Sequence, residues 1–201
     1  MMKFQVVRDL PAEAAFAAVL FGWLAFGVIL LLGRSRGAKS EIQRDSKSRL
    51  GFLLQTAGYA IAFLFPRTYF SPIVPMSRVA EQALAAATIV LAIASVSFCL
   101  AAALTLGRQW ALIARLVESH ELITRGPYAV VRNPIYLAMF GMMIATGLAV
   151  SRWQALALGI AVFLAGNEIR IRSEEKLLRG AFGPAFEEYA RRVPAFLPRL
   201  F

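Results

Sequence analysis

The chain has 201 residues, 59 % hydrophobic and only 17 % charged, with a mean hydropathy of +0.62, a balance that excludes an ordinary water-soluble domain. Its formal net charge of +10 is accompanied by no RNA- or DNA-binding module, and excess Lys and Arg in a membrane protein marks loops kept on the cytoplasmic side, so nucleic acid is not an expected partner. The single cysteine, Cys99, lies in an apolar run, which excludes a disulfide framework and reads as a small buried hydrophobe.

Five apolar segments run along the chain, approximately 14–32, 50–65, 82–106, 134–150 and 153–167. Their scale suits helices crossing a hydrocarbon core of about 30 Å. They are continuous and do not alternate, so helices fit and a barrel does not. Asp9 and Glu13 precede the first segment and no small-residue cleavage site is evident after it, so it reads as a retained transmembrane helix. The predicted fold is all-α: a polytopic integral membrane protein of about five transmembrane helices forming a single domain over 1–201. Three helices occupy 1–106, and a second half, 107–201, carries a loop, a hairpin and a tail.

The connections at 34–49 and 107–133 and the tail after 167 together carry seventeen of the 22 Lys and Arg. The positive-inside rule therefore puts the C-terminus in the cytosol and the N-terminus outside. Only Ser151 and Arg152 separate the last two segments, which read as a tight hairpin of helices about 22–26 Å long. If the fifth helix continues through 168–178, its last turns form a charged cytosolic helix. Gly183 and Pro184 then break it, and 186–192 offers a short amphipathic turn or two before Pro194.

The stretch RGPYAVVRNPIY, 125–136, enters the fourth helix. Gly126 and Pro127 predict a turn that presents Tyr128. Asn133 followed by Pro134 is a helix start, whose first-turn amides and positive dipole end would welcome an anionic or acceptor group of a ligand. Alternatively Asn133 only caps its own helix, while Arg132 reaches the headgroups and Tyr128 and Tyr136 are interfacial anchors. His120 is the only histidine, and it reads either as a surface residue or as a general base. In RIRSEEKLL, 170–178, Arg170 and Glu174 share a helix face. The run is either a solvated ion-pair face or, emerging from a membrane helix that already carries Asn167 and Glu168, one wall of a site. Met139, Phe140, Met142 and Met143 at helical spacing read as packing.

Three stretches resemble the isoprenylcysteine carboxyl methyltransferase family: HELITRGPYAVVRNPIY, then RIRSEEKLL, then FGPAFEEYARRVPAFLP. They match its H-x-L-V-x-x-G-x-Y-x-x-x-R-H-P-x-Y, R-x-x-x-E-E and F-G-x-x-Y-x-x-Y-x-x-R-V-P patterns in order, across roughly 107–198. The resemblance implies a membrane-embedded, S-adenosylmethionine-dependent methyltransferase with a cytosol-facing cofactor pocket and a lipophilic acceptor entering from the bilayer. By position, His120, Glu121, Leu122, Ile123, Tyr128, Asn133, Pro134, Ile135 and Tyr136 would line the cofactor. Glu174, with Glu175, would receive its amino group, and Arg170 would orient the acceptor; no metal is implied. The departure is Asn133, where the pattern has histidine. A carboxylate acceptor is the leading expectation. Alternatives are a phospholipid or other lipid amine, a sterol-type membrane reductase using a nicotinamide cofactor, and a non-enzymatic transporter or scaffold.

Overall fold

The computed structural model describes residues 10–36, 41–44, 47–67, 73–107, 115–117 and 121–198. Six helices are formed among them: α1 (Leu10–Arg36), α2 (Lys47–Leu64), α3 (Arg78–Leu106), α4 (Pro134–Val150), α5 (Trp153–Phe182) and α6 (Pro184–Arg192). All five apolar segments are helical. α1, α3 and α5 are each long and apolar enough to cross a membrane, whereas α4 has 17 residues. Large apolar side chains such as Phe21, Val79 and Val90 stand exposed on α1 and α3, as lipid-facing surfaces do.

α5 is one continuous helix of 30 residues, so its charged second half is a rigid extension of the apolar first half. Gly183, at φ +49°, ends it and Pro184 opens α6, a division of labour that follows from glycine's access to positive φ and proline's fixed φ.

The described residues depart from an all-helical chain in one short antiparallel ribbon, β1 (Glu41–Arg44) with β2 (Arg115–Val117), in which Gln43 pairs with Leu116 and Arg44 with Arg115. It joins the α1–α2 and α3–α4 connections at one end of the bundle, the same pair that the charge count assigns to one side. At the other end the α2–α3 connection meets the α4–α5 turn. Arg67 N donates to Val150 O at 2.9 Å and Arg152 N to Phe65 O at 3.2 Å. The Arg67 guanidinium donates to the carbonyls of Gly147, Leu148 and Ser151 at 3.3, 2.6 and 2.8 Å. Gly147 O also accepts from Ser151 N at 3.0 Å, whereas the carbonyls after it lie past the last helical hydrogen bond and carry the negative dipole end of α4, so a cation there is favourable.

α4 is the central helix. One face packs with α1 and α3 around Phe26, Ala92, Cys99, Ala138 and Met142; another packs with α2 and α5 around Ala62, Met143 and Phe163. Met142 and Met143 are fully buried, consistent with packing. Tyr59 on α2 donates to Met139 O at 2.6 Å, and Trp23 on α1 donates to Thr146 Oγ1 at 3.0 Å.

The most extensive pairing is α2 against α5. Gly51 and Gly58 on α2 face Gly166 and Gly159 on α5, and a Cβ built on any of the four would come within 2.8 Å of a backbone oxygen of the opposite helix. Without a hydrophobic force between helices in lipid, such close backbone approach is what dispersion requires. Gly58→Ala would place its methyl 2.7 Å from Gly159 O, so we expect it to cost roughly 1–3 kcal/mol, measured as a lower unfolding midpoint in detergent. Gly27→Ala, which meets nothing within 4 Å, should leave the midpoint unchanged.

Candidate active site

The end of the bundle bearing the ribbon also gathers the start of α4, the charged half of α5, and α6. Gly126, at φ +61°, lets the chain turn against Thr105, and Gly126–Ala129 form a single 3-10 turn with Pro127 near its start. Tyr128 is thereby buried, and its carbonyl accepts a 2.6 Å hydrogen bond from Tyr189 Oη on α6. Burial, and secondarily the Glu174 carboxylate, push the Tyr128 hydroxyl well above the ordinary phenol range. Burial also pushes Tyr189 up to about 12, with Arg132 pulling it down and Glu175 adding to the rise. Both hydroxyls therefore stay protonated at neutral pH.

Arg132 is not a headgroup anchor; it clamps the tail. Its Nε and Nη2 meet Glu175 Oε1 at 2.9 and 2.7 Å, and Nη1 donates to Ala190 O at 2.9 Å and to Val193 O. Its backbone N donates to Pro194 O at 2.8 Å. The fork geometry of a guanidinium allows one residue to bind a carboxylate of α5 and the carbonyl end of α6 together.

Asn133 stands at the cap position of α4, as its sequence context predicts, yet its side chain makes no capping bond. With φ −125° and ψ 62° it lies outside the extended conformation that aims a cap side chain at the first-turn amides. Its Nδ2 donates instead to Ala195 O at 2.8 Å, tethering the segment beyond α6. A hydrogen-bond donor suffices for that contact, which explains how asparagine occupies the position without acid–base capacity. Phe196 packs on Phe140 with ring centroids 5.7 Å apart, closing the same strap over α4.

Within this frame, Tyr136, Arg170 and Glu174 come together. The Tyr136 hydroxyl donates to the Glu174 carboxylate, and its ring lies 4.8 Å from the Arg170 guanidinium carbon. Arg170 Nη2 stands 4.0 Å from Glu174 Oε1. Arg170 is only 3 % exposed, whereas the Glu174 side chain retains 29 %. Glu175, one residue on, points elsewhere, to Arg132 and to Arg179 Nη2 at 3.5 Å. Pro134 is buried, Ile135 partly so, and Ile135 packs against the α1–α3–α4 cluster. Glu121 is exposed and Leu122 and Ile123 are half-buried in the segment before the turn; His120 lies outside the described residues. Among the described residues no group of three or more His, Cys, Asp or Glu could hold a metal.

Sequence reasoning misses α2 entirely as a contributor. Gln55, fully buried there, accepts from Arg170 Nη1 at 2.9 Å and donates from Nε2 to Asn167 Oδ1 at 3.0 Å, and Phe52 stacks 5.8 Å from the same guanidinium. The available signal is a glutamine inside an apolar helix, a residue that must find partners in the protein interior.

Residues 82–185, which run from near the start of α3 through α4 and α5, match the model of the phospholipid methyltransferase family. The chain belongs to that family. Among curated proteins it is 40 % identical over 97 residues to the nickel-cobalt-cadmium resistance protein NccN of Alcaligenes xylosoxydans xylosoxydans, covering 48 % of this chain and 45 % of that protein. It is 37 % identical over 97 residues to the cobalt-zinc-cadmium resistance protein CzcN of Cupriavidus metallidurans, covering 48 % and 44 %. It is 32 % identical over 81 residues to the protein-S-isoprenylcysteine O-methyltransferase of Schizosaccharomyces pombe, covering 40 % and 34 %. The matched stretches thus span less than half the length of these relatives. Family and apolar helices together make the chain an all-α integral membrane protein.

The clamp makes a checkable demand. Removing Arg132 leaves the buried Glu175 with only the longer Arg179 contact and takes the donor from the Ala190 and Val193 carbonyls, so Arg132→Gln should cost about 3 kcal/mol and open residues 190–198 to protease. Adding Glu175→Gln should recover part of the lost midpoint, and an Arg132→Gln protein as stable and protease-resistant as the parent would contradict the clamp.

Proposed function

We propose that the protein is an S-adenosylmethionine-dependent methyltransferase acting on a lipophilic acceptor, with a carboxylate as the leading acceptor group. The observation that carries this reading is the pairing of a nearly buried guanidinium, Arg170, with a partly exposed carboxylate, Glu174, bridged by Tyr136 where the start of α4 meets the charged half of α5. The O-methyltransferase names among the relatives state a reaction, whereas the resistance names do not. The chain is read as one membrane domain whose second half carries most of the site, with Gln55 and Phe52 of α2 set against Arg170. The arginine-rich end faces the cytosol, with the N-terminus on the other side.

The residues present suit the cofactor. Glu174 offers a carboxylate to a cationic amino group, and the first-turn amides of α4 beside Ile135 and Tyr136 are not taken by the Asn133 side chain, which favours an anionic group there. Tyr128, buried in the turn before α4, would offer a hydroxyl donor. His120, Glu121, Leu122 and Ile123 would supply the outer lining. Bound S-adenosylmethionine supplies a methyl group activated by a sulfonium.

Arg170 would hold an acceptor carboxylate, a group already nucleophilic at neutral pH that needs alignment and not a base. The rings of Phe52 and Tyr136 flanking the guanidinium exclude water from that contact, which strengthens it. A second reading, methylation of a lipid amine, is favoured by the family's description as phospholipid methyltransferases. It would require deprotonation of the amine first.

In detergent, the purified protein should bind S-adenosylmethionine and its demethylated product by calorimetry, and Glu174→Gln should weaken binding roughly ten- to a hundredfold, the worth of a hydrogen bond to a charged group. Absence of binding at millimolar cofactor would end this reading. With labelled cofactor, an S-isoprenylated N-acetylcysteine should acquire a base-labile methyl ester; a stable label on phosphatidylethanolamine instead would select the amine.

A further inference from the structure

We infer that Ser48, in the first turn of α2, is a contact residue for the polar head of the acceptor, to which it donates a hydrogen bond beside Arg170. The inference rests on the methyltransferase reading and adds to that site a residue that the three sequence motifs leave out.

Ser48 is 0 % exposed, and its Oγ has no hydrogen-bond partner among the described residues. A hydroxyl buried and unpaired is unfavourable, and folded proteins keep few of them. A serine or threonine inside a helix has a local remedy, a bond to the carbonyl four residues back. Thr56 and Thr88 use it, donating to Phe52 O and Leu84 O at 2.9 and 2.8 Å. Ser48 stands too near the start of α2 for that, because the residue four before it, Arg44, belongs to β1.

The helix period decides which way Ser48 faces. Ser48, Gly51, Gln55 and Gly58 recur at three and four residues and so share one face of α2, and the last three of them meet α5. The two helices run antiparallel there: Gly58 lies against Gly159 and Phe163, and Gly51 against Gly166 and Arg170. Ser48, one turn before Gly51, is therefore level with the turn of α5 that leads from Arg170 to Glu174. Phe52, four residues on and its neighbour on the helix surface, sets its ring 5.8 Å from the Arg170 guanidinium carbon and is 42 % exposed. Ser48 thus belongs to the α2 side of Arg170, and Tyr136 to the α4 side, where it meets Glu174.

That placement suits the acceptor better than the cofactor. The cofactor reading uses Glu174 and the first turn of α4, whereas a lipid-borne acceptor comes from the bilayer, past the exposed ring of Phe52. A carboxylate head has two oxygens with about four lone-pair sites. Arg170 already gives Nη1 to Gln55 at 2.9 Å, and the Ser48 hydroxyl adds a donor from the same helix as that glutamine. The cost of burying the hydroxyl unpaired falls on the empty site, and binding of the acceptor relieves it.

The test sets stability against binding. Without ligand, Ser48→Ala removes an unpaired buried hydroxyl, so the unfolding midpoint in detergent should stay level or rise. With the demethylated cofactor product bound, calorimetry should show Ser48→Ala binding an S-isoprenylated N-acetylcysteine roughly tenfold more weakly, the worth of one hydrogen bond to a charged group. Affinity for the cofactor product itself should stay within about twofold. Ser48→Cys, similar in shape with a weaker donor, should fall between the two. A midpoint lowered by Ser48→Ala would mean that the hydroxyl has a structural partner. Unchanged acceptor affinity, a loss confined to the cofactor product, or a wild-type protein that binds the cofactor product and not this acceptor would equally overturn the inference. Failure of the wild-type protein to bind the cofactor product would instead overturn the methyltransferase reading on which it stands.

Discussion

A guanidinium buried to 3 % exposure at the end of an apolar helical bundle is the constraint around which this structure is arranged. Such a charge cannot be left to hydrocarbon, so every element near it contributes something polar or polarisable: an amide from α2, a phenol from α4, a carboxylate and a second amide from α5. Those contributions are possible only because helix backbones come unusually close. The glycine seam between α2 and α5 is thus more than a packing device; it brings an amide from a distant helix within 2.9 Å of the arginine.

α4 conveys the same logic along its length. Its apolar body is enclosed by helices on two faces, so its termini are where unpaired backbone groups have to be dealt with. At the carbonyl end Arg67 closes the helix with three hydrogen bonds. At the amide end Asn133 leaves the first turn uncapped and reaches for the tail. One end is finished structurally and the other is kept open. The proposed site is at the open end, where the positive pole of the helix and the Glu174 carboxylate stand near one another.

The two neighbouring glutamates show how side chains adjacent in sequence divide their work. Glu175 is consumed by Arg132 and Arg179 in holding α6 and the strap beyond it. Glu174, about 100° further back around the helix, keeps partial exposure and contacts Tyr136 and Arg170. The resemblance assigns both to the cofactor; the geometry assigns the second to the frame that holds the first.

The sequence by itself determined the class of the protein and the courses of its helices, because apolar runs, a proline at a helix start and a glycine at a helix end act locally on a few neighbouring residues. It also determined which polar residues cluster near 125–136 and 170–175, since those lie within a turn or two of one another. What only the tertiary structure decided were the partners across helices: Gln55 on Arg170, 115 residues away, Arg132 on Glu175, and Asn133 on the tail instead of on its own helix. These depend on how closely two backbones approach and which faces they turn to one another. That is set by the sum of many weak packing contacts along whole helices, and no short stretch of sequence contains it.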